Sequence, residues 1–156
     1  MDATGTNAFG NGQIGIRMLA ASNNVIGGES ASERNIIAAN GVYGIYANSA
    51  LTRFNTIIGN YIGLNAAGQR MGNGWATSNG RGVMLENTPD NNLLLNVISG
   101  NIGHGILISG GTATNNLLAG NLIGLEPSGT FAISNNLNGV QIASAPGNLI
   151  GSASLI

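Results

Sequence analysis

Apolar residues in this chain come in short bursts, each opened by a glycine or an asparagine. One class of burst starts with Gly and an aliphatic residue: Gly15-Ile16, Gly44-Ile45, Gly82-Val83, Gly105-Ile106 and Gly139-Val140. Each pair leads into period-2 alternation, as in Gly105-Ile106-Leu107-Ile108-Ser109, the mark of a strand with one face buried. The second class is Asn-x-Ile/Leu and falls in two series. One series runs through Asn24, Asn55, Asn92, Asn116 and Asn148, and the other through Asn35, Asn60, Asn96 and Asn121. Together they predict three short strands per turn with Gly or Asn bends between them. That is one coil of a parallel β-solenoid.

Stacking such coils about 4.8 Å apart puts equivalent residues in columns. The residue after each Gly gives Ile16, Ile45, Val83, Ile106 and Val140; two positions on come Met18, Ala47, Leu85, Ile108 and Ile142. The third place of the Asn triplets gives Ile26, Ile57, Leu94, Leu118 and Ile150, then Ile37, Ile62, Ile98 and Ile123. All of these columns stay apolar, so they are expected to point inward. The Asn series are expected to form bend ladders, because Asn tolerates left-handed backbone and its amide can both donate and accept along a stack.

A longer repeat overlies the coils. Gly59-Asn60-Tyr61-Ile62-Gly63-Leu64-Asn65 returns 61 positions later as Gly120-Asn121-Leu122-Ile123-Gly124-Leu125-Glu126. The tail Asn65-Ala66-Ala67-Gly68-Gln69 recurs as Glu126-Pro127-Ser128-Gly129-Thr130 and, at the start of the chain, as Asp2-Ala3-Thr4-Gly5-Thr6. Segments 64–80 and 125–138 lengthen the second and fourth coils, segment 1–12 enters the first as the same loop, and 27–34 is a separate insertion. Long loops are therefore expected at one corner of every second coil.

Composition agrees with an all-β chain of tight bends. Of 156 residues 26 are Gly, 43% are hydrophobic and 7% are charged. That is too much Gly for a helical protein and too apolar for a disordered one. Cysteine is absent, which removes disulfides and thiolate metal sites. The five basic residues are scattered arginines in a chain of net charge −1, unlike the clustered basic surface of a nucleic-acid binder. No apolar run approaches the ~18 residues of a membrane span, and no signal-peptide pattern opens the chain.

The run GNYIG, Gly-rich loop, GI/GV, NxIGG and NxI resembles the right-handed parallel β-helix repeats of large bacterial secreted and surface proteins, a pectate-lyase-like β-helix, over essentially the whole chain. The resemblance implies a secreted or cell-surface location and a right-handed all-β helix of about five coils. It does not imply an activity, since that fold carries polysaccharide-cleaving enzymes, tailspikes and adhesins alike.

Chemistry is sparse. The outward columns of the Gly-aliphatic strands read Arg17, Tyr46, Met84, Leu107, Gln141 and Leu19, Asn48, Glu86, Ser109, Ala143. A glycosidase needs two carboxylates about 5–10 Å apart, and this wall offers Glu86 alone. A lyase of the pectate type would want a Ca²⁺ cage of several carboxylates, and no catalytic, metal or cofactor site is predicted. His104 reads as a solvent-facing turn residue, Ser109 has no base beside it, and Glu29, Glu33 and Arg34 read as a solvated loop. The best ligand-binding candidates are Trp75 in the longest loop, with Tyr46, Arg17 and Glu86 on the wall. Trp75 has two readings: stacking on a sugar ring, or folding its loop onto the wall.

Neither terminus resembles a cap. The chain accordingly reads as one solenoid domain over 1–156, a segment of a longer array, with self-association through its open ends. Its expected role is non-enzymatic, structural or adhesive, presenting loops to a partner. The alternative is a polysaccharide-binding or polysaccharide-cleaving module acting on a cell-surface glycan.

Overall fold

The computed structural model of the protein describes residue 2 and residues 4–151. Its strands, in chain order, are β1 (Ile14–Leu19), β2 (Val25–Gly27), β3 (Ile36–Ile37), β4 (Tyr43–Asn48), β5 (Thr56–Ile58), β6 (Tyr61–Ile62), β7 (Arg81–Glu86), β8 (Asn92–Leu94), β9 (Val97–Ile98), β10 (Ile106–Ser109), β11 (Leu117–Ala119), β12 (Leu122–Ile123), β13 (Val140–Ala143) and β14 (Leu149–Ile150). A single 3-10 turn, Ala31–Glu33, is the helical element among the described residues.

Every third strand pairs with the next in parallel register. The first sheet runs β1-β4-β7-β10-β13, the second β2-β5-β8-β11-β14 and the third β3-β6-β9-β12. The chain is thus a three-sided parallel β-solenoid with four full coils and two strands of a fifth. Both wall columns hold: Arg17 pairs with Tyr46, Tyr46 with Met84, Met84 with Leu107 and Leu107 with Gln141, while Leu19, Asn48, Glu86, Ser109 and Ala143 follow alongside.

The inward columns form one core. Ile45, Ala47, Ile57, Ile62, Val83, Leu85, Leu93, Ile98, Ile106 and Ile108 are each 0% exposed. Each such Ile, Leu or Val stabilises the fold by roughly 1.5–3 kcal/mol relative to exposure. One column is corrected by a single position. Leu93, not Leu94, pairs with Ile57 and Leu118 in the core, because the ladder residue before it is Asn91 rather than Asn92.

The asparagines are what close the corners. Asn91 Oδ1 accepts the backbone and side-chain N–H groups of Asn55 at 3.1 and 3.0 Å, and Asn91 donates in turn to Asn116 Oδ1 at 3.0 and 3.2 Å. Asn92 stands half-exposed on the outer face, paired with Thr56 and Leu117. Two consecutive Asn residues offered two registers, and burial of the apolar Leu93 selects between them. The second ladder runs Asn35–Asn60–Asn96–Asn121 as expected.

A third ladder runs Asn11–Asn40–Asn73–Asn101–Asn135. It explains the recurring glycine. A Cβ on Gly44 would lie 2.6 Å from the carbonyl oxygen of Gly82 and 2.9 Å from Asn73 Nδ2; on Gly105 it would lie 2.6 Å from the Gly139 oxygen and 2.8 Å from Asn135 Nδ2. Only glycine lets the amide ladder and the next coil's backbone pass at that corner.

Loops leave every second coil between the third and first sheets, closed by antiparallel bridges Leu64–Arg70 and Leu125–Ala132. The repeated tail is a turn: Gly68 N–H donates to the Asn65 carbonyl at 3.0 Å and Gly129 N–H to that of Glu126 at 2.9 Å, with φ of +75° at both glycines. The N-terminal copy repeats this through Gly5 N–H and the Asp2 carbonyl at 3.0 Å, although its Ala3 lies outside the described residues. Successive loops touch, Ala66 N–H donating to the Gly5 carbonyl at 3.0 Å. Leu64 and Ile133 cover a second apolar cluster with Ile36, Tyr61, Val97 and Leu122 on the outer side of the third sheet. Part of each loop is therefore a lid on the solenoid wall.

Candidate functional site

The first sheet's outer wall brings several ionisable and aromatic side chains together. Column geometry places Arg17, Tyr46 and Met84 on neighbouring coils, with Asn48 beside Glu86. The column before them holds Ile14, Tyr43 and Arg81 in register. His104 continues it, its carbonyl accepting from Gly82 N–H at 3.0 Å.

These side chains form a connected line. The Tyr46 hydroxyl donates to Glu86 Oε2. Burial first, then the bond to the Glu86 carboxylate, pushes the Tyr46 phenol up to about 12, so it remains a protonated donor. The guanidinium of Arg17 lies 5.7 Å from the Tyr46 ring centre, and the Tyr43 and Tyr46 rings are 5.3 Å apart at 55°. On the far side Arg81 lies 5.4 Å from the Tyr43 ring and donates through Nη1 to the Tyr43 hydroxyl at 3.1 Å. Two cations thus flank two aromatic rings, an arrangement with favourable cation–π energy. Met84 and Leu107 are buried in the middle of this wall. Two polar atoms of the wall, Asn48 Oδ1 and Arg81 Nε, are buried without a hydrogen-bond partner.

His104 is not the solvent-facing turn residue expected. It is 9% exposed, and its Nδ1 accepts the Asn138 backbone N–H at 3.2 Å. Burial and then the neighbouring Arg81 charge hold its pKa below the ordinary histidine value. The signal was available in the column Ile14, Tyr43, Arg81, His104, Asn138, since three of its five members carry rings or charge.

Of the four candidate residues, the structure brings together Arg17, Tyr46 and Glu86. Trp75 lies apart, at the corner between the third and first sheets. Its Nε1–H donates to the Ala39 carbonyl at 2.9 Å while 63% of the residue stays exposed. The indole edge ties the loop to the wall, as the second reading of this residue expects, while most of the side chain is left to solvent. The signal for the residues missed, Tyr43 and Arg81, was the same pre-glycine column.

Glu126 and Glu33 serve their own loops. Glu126 accepts from the Ser128 hydroxyl and from the Ser128, Thr130 and Phe131 N–H groups, and these bonds, the hydroxyl's first, lower its pKa to about 2. Glu33 accepts from the Ser30 hydroxyl and N–H. Arg34 donates to the Gly59 carbonyl at 3.1 Å and lies 4.1 Å from the Tyr61 ring centre. Among the described residues no three His, Asp or Glu side chains converge to hold a metal, and Glu86 is held by the Tyr46 hydroxyl. The wall is equipped to stack, donate and accept. No helix of the described residues is long and apolar enough to cross a membrane.

Comparison with known protein families, curated proteins and solved structures gives no match.

The buried His104 generates a pH prediction. Its folded pKa lies below the unfolded value, so the unfolded chain binds more protons in the window just under the ordinary histidine pKa of 6.5, and stability falls as pH drops through that window. Urea midpoints measured from pH 8 to pH 5 will decline for the native protein. For His104→Gln they will be flat across that window apart from the carboxylate contribution at its acid end.

Proposed function

We propose that this chain is a non-enzymatic structural segment of a secreted or surface β-helix, a rigid stack that presents loops to a partner. The observation that carries this reading is continuity: three amide ladders and the apolar columns run coil to coil, while the chain's length varies in the loops between strands. The location rests on the resemblance to β-helix repeats of large bacterial proteins.

The test is loop insertion. A ten-residue epitope placed between Thr77 and Ser78, both exposed, will shift the unfolding free energy by about 1 kcal/mol or less, because loop closure depends weakly on length. The folded protein will bind the epitope's antibody. Loss of the fold on insertion would show the loop to be integral rather than presented.

A second reading, glycan binding by the first-sheet wall, is favoured by one observation. Arg17, Tyr46, Tyr43 and Arg81 form an aromatic and cationic strip, beside the buried and unpaired Asn48 Oδ1 and Arg81 Nε. On a glycan array the binding reading requires a signal that Tyr46→Ala reduces at least about tenfold, roughly 1.4 kcal/mol. Trp75→Ala tests the loop in the same way. A signal untouched by both substitutions would remove the wall and the loop from the binding site.

A further inference from the structure

Asparagine followed by glycine is a reactive pair. The glycine nitrogen, unhindered by a side chain, can reach the asparagine Cγ and close a cyclic imide. The sequence holds five such pairs, opened by Asn11, Asn40, Asn73, Asn79 and Asn138. The structure treats them unequally.

Three belong to the third amide ladder. Asn11 donates through its backbone N–H and Nδ2 to Asn40 Oδ1 at 3.1 and 3.0 Å, and its carbonyl accepts from Gly41 N–H at 2.8 Å. Asn40 gives the same two bonds to Asn73 Oδ1 at 3.1 and 2.8 Å, and its carbonyl accepts from Gly74 N–H at 2.7 Å. Asn73 passes them on to Asn101 at 3.2 and 2.9 Å. In Asn40-Gly41 and Asn73-Gly74 the attacking nitrogen and the amide under attack are both engaged, at asparagines only 3% and 0% exposed. Asn138 stands outside the ladders, but its backbone is pinned on both sides. Its N–H donates to His104 Nδ1 at 3.2 Å and its carbonyl accepts from Gly105 N–H at 2.9 Å.

Asn79 has none of this support. It lies in an exposed turn at the end of the 64–80 loop. Among the described residues its one hydrogen bond is local, from its N–H to Thr77 Oγ1 at 3.4 Å, and neither its side-chain amide nor Gly80 N–H is bonded. Packing demands glycine at the next position, since a Cβ on Gly80 would lie 2.0 Å from Gly74 Cα. The fold fixes the reactive partner and leaves the asparagine free to turn onto it.

We propose that Asn79 is a site of spontaneous deamidation, so that this loop gains a charge with age while the ladders keep their amides. The deprotonated Gly80 nitrogen attacks Asn79 Cγ. An N–Cγ bond forms, the Cγ–Nδ2 bond breaks, and ammonia leaves with the displaced proton. Water then opens the imide at either carbonyl, giving aspartate or isoaspartate. Water is consumed, ammonia is released, and nothing is oxidised or reduced. At Asn79 the product adds a negative charge in solvent, to a chain of net charge −1. At Asn73 it would place a carboxylate in a closed corner and remove the donor to Asn101 Oδ1 and the Ile37 carbonyl, and an unpaired buried charge is costly.

Cleavage after arginine supplies an internal comparison, because Asn73 and Asn79 fall in one peptide, residues 71–81, bounded by Arg70 and Arg81. Native protein is incubated at mildly alkaline pH, cleaved beside a zero-time reference, and fragmented by mass spectrometry to place each amide-to-acid change. Asn79 will convert at least about tenfold faster than Asn73 and Asn40, because a bonded corner reacts only through local opening. In urea, with the ladders lost, Asn73 and Asn79 will convert at rates within about threefold of each other. In Asn79→Gln, whose longer side chain disfavours the imide, most of the acidic form seen on ion exchange will disappear. Equal native rates at Asn73 and Asn79 overturn the proposal. So does an Asn79 that stays unchanged in the native protein, or an acidic form that builds up at the native rate in Asn79→Gln.

Discussion

The side-chain amide of asparagine, buried at a corner and bonded above and below, is the interaction on which this structure depends. A tight bend in a solenoid leaves backbone groups that no strand can satisfy, and burying them unpaired would cost about 1–3 kcal/mol each. Asn solves this repeatedly. In the second ladder Asn60 donates to Asn96 Oδ1 at 3.0 and 3.1 Å and also to the carbonyls of Ile26 and Ile58 at 2.8 and 3.0 Å. It is 0% exposed. Repetition of this unit at three corners lets a chain with few charges and few aromatic residues fix the register of every coil.

The rest of the architecture follows from accommodating those amides. Gly15, Gly44, Gly82 and Gly105 stand at the opening of their first-sheet strands because the third ladder and the next coil's carbonyl occupy the space of a Cβ. The loops can differ in length because the corner residues hold the ring of the coil closed behind them. What the loops do retain is cover for the outer side of the third sheet, where Leu64 and Ile133 meet Tyr61 and Val97. The outer wall of the first sheet carries no ladder. There the sequence is free to place Arg17, Tyr43, Tyr46, Arg81 and Glu86 in contact.

Legibility from sequence followed the same physics. Columns of the first sheet could be read because Gly gives an unambiguous origin for each coil, and every pairing from Arg17 to Gln141 held. The Asn91-Asn92 pair misled because both residues fit the triplet pattern and only burial of Leu93 separates them. The third ladder escaped notice although Asn11, Asn40, Asn101 and Asn135 each stand four residues before a strand-opening glycine. Asn73 breaks that spacing, since its loop lengthens on the far side of the corner. His104 escaped for a different reason: its burial arises from neighbours on adjacent coils, legible only when the column Ile14, Tyr43, Arg81, His104 and Asn138 is read as a whole.

The central claim, that the buried amide ladders fix the fold, is tested most directly by equilibrium unfolding of Asn91→Ala beside Asn92→Ala. Asn91→Ala strands the backbone and side-chain N–H groups of Asn55 inside the corner, and a loss of about 2–4 kcal/mol is predicted. Asn92→Ala changes a half-exposed outer position and should stay within about 0.5 kcal/mol of the native protein. Equal effects from the two substitutions, or a larger one from Asn92→Ala, would contradict the account.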